Sequence, residues 1–181
     1  MERLFLDIET YSPVDIGRSG VYRYSEDQDF RILLFGYAVD DKDVNVIDLA
    51  SGEEIPGEII NAIRDENVTK WAHNASFERI CLSRYLRLPP HEYLPPDSWR
   101  CSMVWSAYLG LPLSLKDIGR VLRLEEQKID EGRKLIRLFC SPTVPSAKNG
   151  YFQRNLPELF PDEWKRFIEY NRRDAEVERA I

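Results

Sequence analysis

Apolar residues come in short, β-rich runs over the first part of the chain and at helical spacing over much of the rest. Arg3–Glu9 (RLFLDIE), Arg31–Val39 (RILLFGYAV), Val44–Leu49 (VNVIDL) and Val68–Ala72 (VTKWA) are rich in β-branched and aromatic residues and predict strands. The polar stretch 40–43 makes the second and third of these a hairpin. Pro56 opens a helical pattern through Ile59, Ile60 and Ile63, so the fourth strand follows a crossover. Residues 75–88 are amphipathic and stop before Pro89-Pro90, where a ring would break the helix. A short fifth strand is expected at 100–103. Helices follow near 103–109, at 115–123 with Ser114 as its cap and Asp117 three residues on, and at 130–140. Residues 141–160 hold Pro142, Pro145, Asn149-Gly150 and Pro157 with little periodicity, the pattern of a mobile surface loop. A last helix opens at Pro161 and still reads as helical at Ile181, the pattern of an amino-terminal piece of a longer protein.

A length of 181 residues suits one domain with one core. No apolar run reaches the roughly 18 residues of a membrane span, and the start lacks the basic and apolar regions of a signal peptide. A cytoplasmic protein with no membrane partner is expected. Cys81, Cys101 and Cys140 are odd in number and far apart, which points to free thiols and away from structural zinc.

The net charge of −6 argues against a polyanionic partner until its distribution is considered. Residues 1–78 carry 7 basic and 17 acidic groups (−10), residues 79–148 carry 12 and 7 (+5), and residues 149–181 carry 6 and 7 (−1). Divalent cations can neutralise the acidic part while the basic part follows a phosphate backbone. Arg79, Arg84, Lys116, Arg120, Lys128, Arg133 and Lys134 are the candidates for that track, against the plain alternative that they face solvent.

Three features carry candidate chemistry. Asp7 and Glu9 end the first strand two residues apart, so both carboxylates project from one face, which suits a hard divalent cation; the alternative for Asp7 is a turn residue. Asp-x-Glu recurs at 174–176, but in a helix residues two apart diverge. Tyr170 and Asp174 are four apart on the last helix, which sets a phenol beside a carboxylate where they can orient a water. Between them, His73-Asn74-Ala75-Ser76-Phe77-Glu78 marks the handover from the fourth strand to a helix, the usual ligand edge of an open sheet. Asn74 as a helix cap and Glu78 as a charge at the positive helix end are the structural alternatives.

Taken in order, Asp-x-Glu, Asn-x-x-Phe-Glu and Tyr-x-x-x-Asp resemble the three exonuclease motifs of the DEDD superfamily, in the tyrosine subtype that proofreads for family A DNA polymerases. The wider run, from LDIETYSPVDIGRSGVYRYS through CSMVWSAYLGLPLSLKDIG to EYNRRDAEVERAI, is similar to the exonuclease domain of bacteriophage or prophage members. The resemblance covers nearly the whole chain. It implies an α/β, ribonuclease H-like fold, a mixed five-stranded sheet flanked by helices, over residues 1–181, with a polymerase domain elsewhere in the same longer chain. It also implies 3′ to 5′ removal of nucleotides from single-stranded or frayed DNA by two metal ions. Asp7, Glu9, Glu78 and Asp174 would be the metal ligands, Tyr170 would orient the nucleophile, and Thr10, Asn74 and Phe77 would touch the terminal nucleotide. Magnesium fits an all-oxygen ligand set best, with manganese a possible substitute.

One departure from that pattern is Glu78, where the family's usual acid is Asp. It keeps open a catalytically weak domain that only binds single strands or braces a polymerase. An RNA-trimming enzyme like ribonuclease D is a third reading, because no residue visibly selects the sugar.

Overall fold

A computed structural model describes residues 1–124 and 131–181, so the expected helix start at 130 and Lys128 lie outside the described residues. Five strands, β1 (Arg3–Tyr11), β2 (Arg31–Val39), β3 (Asn45–Asp48), β4 (Thr69–Ala72) and β5 (Trp99–Cys101), form one mixed sheet in the order β3-β2-β1-β4-β5. β1 is central: it pairs antiparallel with β2 and parallel with β4, and β4 pairs parallel with β5. The helices are α1 (Ile16–Ser25), α2 (Gly57–Arg64), α3 (Ser76–Tyr85), α4 (Ser102–Tyr108), α5 (Leu115–Leu122), α6 (Gly132–Phe139) and α7 (Pro161–Ala180).

β1 has apolar side chains on both faces, as a strand covered on both sides must. Leu4, Leu6 and Ile8 point into a core shared with Ile59 and Ile63 of α2 and with Cys81 and Leu82 of α3. Phe5 and Tyr11 point the other way, Phe5 against Ala175 of α7 and Tyr11 into a cluster with Leu135, Phe139, Trp164, Phe167 and Tyr170. Asp7 and Glu9 share that second face. In α7, positions 164, 167, 171, 174 and 178 recur at helical spacing and are all buried. The stripe begins aromatic and turns polar: Trp164 and Phe167 pack on Phe139, and beyond Tyr170 come Asn171, Asp174 and Glu178. Trp164 Nε1 donates to Asp48 Oδ2 at 2.7 Å, which fastens the start of α7 to the end of β3.

Most expected elements are present to within a residue or two. Ser114 caps α5 as expected, accepting from the Asp117 amide at 3.2 Å. α1 has no counterpart in the sequence expectations. Asp15 caps it by accepting from the amides of Gly17 and Arg18, but Gly20 sits inside it at φ 74° and ψ 167°, a kink that hides helical periodicity. β1 also runs two residues past the expected end, because the register to β2 shifts between Glu9 and Thr10 and pairing resumes as far as Tyr11. The stretch 141–160 forms two single 3₁₀ turns, Ala147–Asn149 and Pro157–Leu159, and the buried Asn149 bonds Thr143, Val144 and Ser146. No described helix is long and apolar enough to cross a membrane.

Candidate active site

The three motifs meet at β1. Asp7 and Glu9 come from the central strand, Glu78 from the first turn of α3 just after β4, and Tyr170 and Asp174 from the polar part of the α7 stripe. Their mutual influence shows the convergence. Burial raises the Tyr170 phenol, and Asp174, Glu9 and Asp7 raise it further, so it stays protonated; its hydroxyl bonds the Asp174 carboxylate. Burial, then the charge of Asp7, pushes Glu78 well above the usual carboxylate range, with Glu178 adding to it.

Two glycines make room for these side chains. Gly36 lies opposite Asp7 in β2. A Cβ there would fall 2.7 Å from Asn171 Oδ1, so only glycine lets Asn171 reach across to donate to Asp7 Oδ2 at 2.6 Å. A Cβ at Gly132 would fall 2.7 Å from Cζ of Tyr170 and 2.8 Å from Cδ2, and nearer still to Cε2. The first turn of α6 therefore lies directly on the Tyr170 ring, which also stacks with Phe167 at 6.0 Å between centroids.

Beside Glu9 opens a cleft of about 490 Å³ lined by Thr10, Tyr24, Phe77, Ile136, Cys140 and Pro142, among others. Thr10 and Tyr24 are joined through their hydroxyls at 2.8 Å, and the Tyr24 and Phe77 rings lie 6.2 Å apart. The Cys140 thiol, raised well above its usual range by burial and then by Glu9, donates to Glu9 Oε2 at 3.7 Å. Of the three expected nucleotide-contacting residues, Thr10 and Phe77 line this cleft. Asn74 does not: it is exposed at φ 70°, and its side chain makes no cap bond to α3. His73 braces the same turn: its Nε2 donates to Leu113 O at 3.0 Å, which leaves Nδ1 to accept from Ser102 Oγ at 2.9 Å.

The expected phosphate track changes in part. Arg79 donates to Leu94 O at 2.7 Å, and Arg84 donates to Pro89 O and Glu92 O, so both tie down the loop after α3. Arg120 pairs with Asp117 at 3.7 Å. Arg133, Lys134 and Arg137 are exposed on α6, whose Ile136 lines the cleft.

Asn171 and Glu178 are the residues that sequence reasoning missed. Both occupy positions where an amphipathic helix buries apolar side chains, and polar residues inside a buried stripe were the available signal. Burial, then Asp7, pushes Glu178 well above the usual range. The His73 amide is directed at Glu178 and offsets part of this, yet neither carboxylate oxygen has a partner at hydrogen-bonding distance and angle. Glu78 Oε2 is likewise buried without one. Among the described residues no three His, Cys, Asp or Glu side chains close on a point as they stand. The donor set still fits a divalent cation: it is carboxylate oxygen throughout, and Glu78 brings to it a buried oxygen with no hydrogen-bond partner.

No protein-family model matches the chain. Over all 181 residues it is 46% identical to a DNA polymerase of Bacillus phage SP02. The chain is homologous to part of a phage DNA polymerase. It spans 27% of that relative's length, about a quarter. Among solved structures, one described as the apo form of a nuclease aligns with a TM-score of 0.57 over 98% of this chain and 68% of the other, at 16% identity. NrnC of Brucella melitensis with bound Mg²⁺ aligns at 0.50, over 99% of this chain and 80% of its own, also at 16% identity. At such identities the likeness is one of fold. With β1 central, antiparallel on one side and parallel on the other, the architecture is ribonuclease H-like, as the sequence resemblance implied.

Proposed function

We propose that residues 1–181 are the 3′ to 5′ exonuclease domain of a longer DNA polymerase, acting on single-stranded or frayed 3′ ends as a proofreader. The observation that carries the reading is the meeting of Asp7, Glu9, Glu78, Tyr170 and Asp174 from three separate elements beside one cleft. Homology to a phage DNA polymerase supports it, and so does a fold shared with nucleases.

In this reading Asp7, Glu9, Glu78 and Asp174 hold two magnesium ions, with manganese able to replace them. Bound there, such ions offset the charge that develops on phosphate, attacking oxygen and leaving oxygen. The remaining work falls to the chain. The Tyr170 hydroxyl gives its proton to the Asp174 hydrogen bond, which leaves its oxygen to accept from a water and aim it. Asn171 fixes the rotation of the Asp7 carboxylate by occupying one oxygen. Thr10, Tyr24 and Phe77 form a wall on which the last base can lie, a contact open to any base, as a proofreader needs. Arg133 and Arg137 stand one turn apart on the exposed side of α6, where phosphates of the incoming strand can pass.

The test is release of label from a 3′-labelled DNA strand with magnesium. Native chain should release it and Asp7→Ala should not; equal release from both refutes the proposal. Parallel RNA substrates decide the sugar. A second reading, a domain that binds strands without cutting them, is favoured by Glu78 in place of Asp. It prevails if native chain and Glu78→Asp both bind oligonucleotide and neither cuts.

A further inference from the structure

Beyond Phe167, α7 buries four side chains that carry polar groups, and three of them already have work: Tyr170 and Asp174 in the water-orienting pair, Asn171 on Asp7. The fourth is Glu178, one turn beyond Asp174 and only 3% exposed. A carboxylate taken that far from water is costly unless a cation or a set of donors compensates it. Here neither oxygen has a partner at hydrogen-bonding distance and angle, and the His73 amide directed at the group offsets only part of that cost. The neighbouring arginines are committed elsewhere: Arg3 pairs with Asp41 at 3.0 Å, and Arg179 donates to Lys42 O. Nor does the position need an acid for packing, because its neighbours on the stripe, Ala175 and Val177, are fully buried and apolar. What does lie within electrostatic reach is the acid centre itself, Asp7, Asp174 and Glu78.

We propose that Glu178 is a fifth carboxylate of the cation centre, sharing with Glu78 the ion on the α3 side of Asp7. This rests on the nuclease reading above and deepens it. It also gives the longer side chain at 78 a physical context. Two glutamates approaching one ion from α3 and α7 take the place of one shorter acid, and their combined charge offsets a cation that Asp7 alone would leave underneutralised.

The experiment is titration of the native chain with Mn²⁺ alone, without DNA, followed by electron paramagnetic resonance and by calorimetry. The variants are Glu178→Gln, which keeps shape and loses charge, and Glu178→Leu, which fills the site with an apolar group. Both should weaken the Mn²⁺ affinity of one site by about 10- to 100-fold, the usual effect of losing a supporting group at a metal. Both should also melt no lower than native chain in metal-free buffer, Glu178→Leu higher, and gain less from added Mn²⁺. Unchanged affinity and stoichiometry in a folded Glu178→Gln, or in Glu178→Leu should the first not fold, overturns the inference and leaves the nuclease reading standing. Asp7→Ala separates the two ideas: if it binds Mn²⁺ as well as native chain does, or if native chain binds none, the centre itself is refuted and the role of Glu178 with it.

Discussion

Gly132→Ala tests the site through a residue that carries no chemistry. A methyl group there would lie 2.7 to 2.8 Å from two atoms of the Tyr170 ring and closer to a third, well inside the 3.4 Å at which ordinary contact begins. The ring has limited room to shift, since Phe167 runs parallel to it at 6.0 Å between centroids with planes 10° apart, and Phe167 is in turn held by Phe139 and Trp164. Overpacking of this kind costs about 1 to 3 kcal/mol, against a helix-propensity gain for alanine of up to about 1 kcal/mol. The net loss should be on the order of 1 to 2 kcal/mol, read as a lower midpoint in urea with an unchanged slope. Activity should fall further than stability. The displaced group is the hydroxyl on Asp174, and misplacing a reacting group by on the order of 1 Å can cost about 100-fold. Label release from a 3′-tagged strand measures this at a temperature where the variant is fully folded. In Gly132→Ala combined with Tyr170→Ala the clash has no partner, so the penalty of the first change should largely vanish on the background of the second. If Gly132→Ala melts and cuts like native chain, the contact between α6 and Tyr170 is refuted.

Gly36→Ala should push Asn171 off Asp7, losing the 2.6 Å hydrogen bond and lowering turnover with little change in oligonucleotide affinity; a variant changed only in affinity would contradict this. Reversing Arg133 and Arg137 to Glu should raise KM for single strands and flatten its salt dependence while kcat holds, and an unaltered salt slope counts against the α6 track. Stability should depend on pH in a direction set by Glu78 and Glu178. Their folded values are raised above the roughly 4.3 of an unfolded glutamate, so the folded state holds more protons, and the metal-free melting temperature should fall as pH rises above that value. Magnesium should restore more of it at pH 8 than at pH 5; equal restoration at both would refute the coupling.

Much of this was legible in the residues. Alternation in β1 put Asp7 and Glu9 on one face, and four-residue spacing put Tyr170 beside Asp174, because strand and helix periods are local properties that the fold merely keeps. Ser114 announced α5 for the same reason. What escaped is tertiary. Asn171 and Glu178 look like surface residues of a charged helix until β1 is laid beneath them, and Gly36 and Gly132 have meaning only through the side chains that cross them. Asn74 keeps the motif spacing and faces solvent, and its position relative to a strand end is likewise set by tertiary structure. Arg79 and Arg84 are candidates for a phosphate track on charge alone, and only the fold shows that both donate to loop carbonyls between 89 and 94.

The central place of β1 bears on when the site comes apart. Asp7 and Glu9 sit on the strand flanked on both edges, so their backbone amides should exchange hydrogen with solvent only as slowly as the whole sheet opens. Glu78, by contrast, stands in the first turn of a ten-residue helix, where fraying is frequent. A chain under mild denaturant should therefore surrender its α3 carboxylate first and its strand carboxylates last, dismantling the centre from one side.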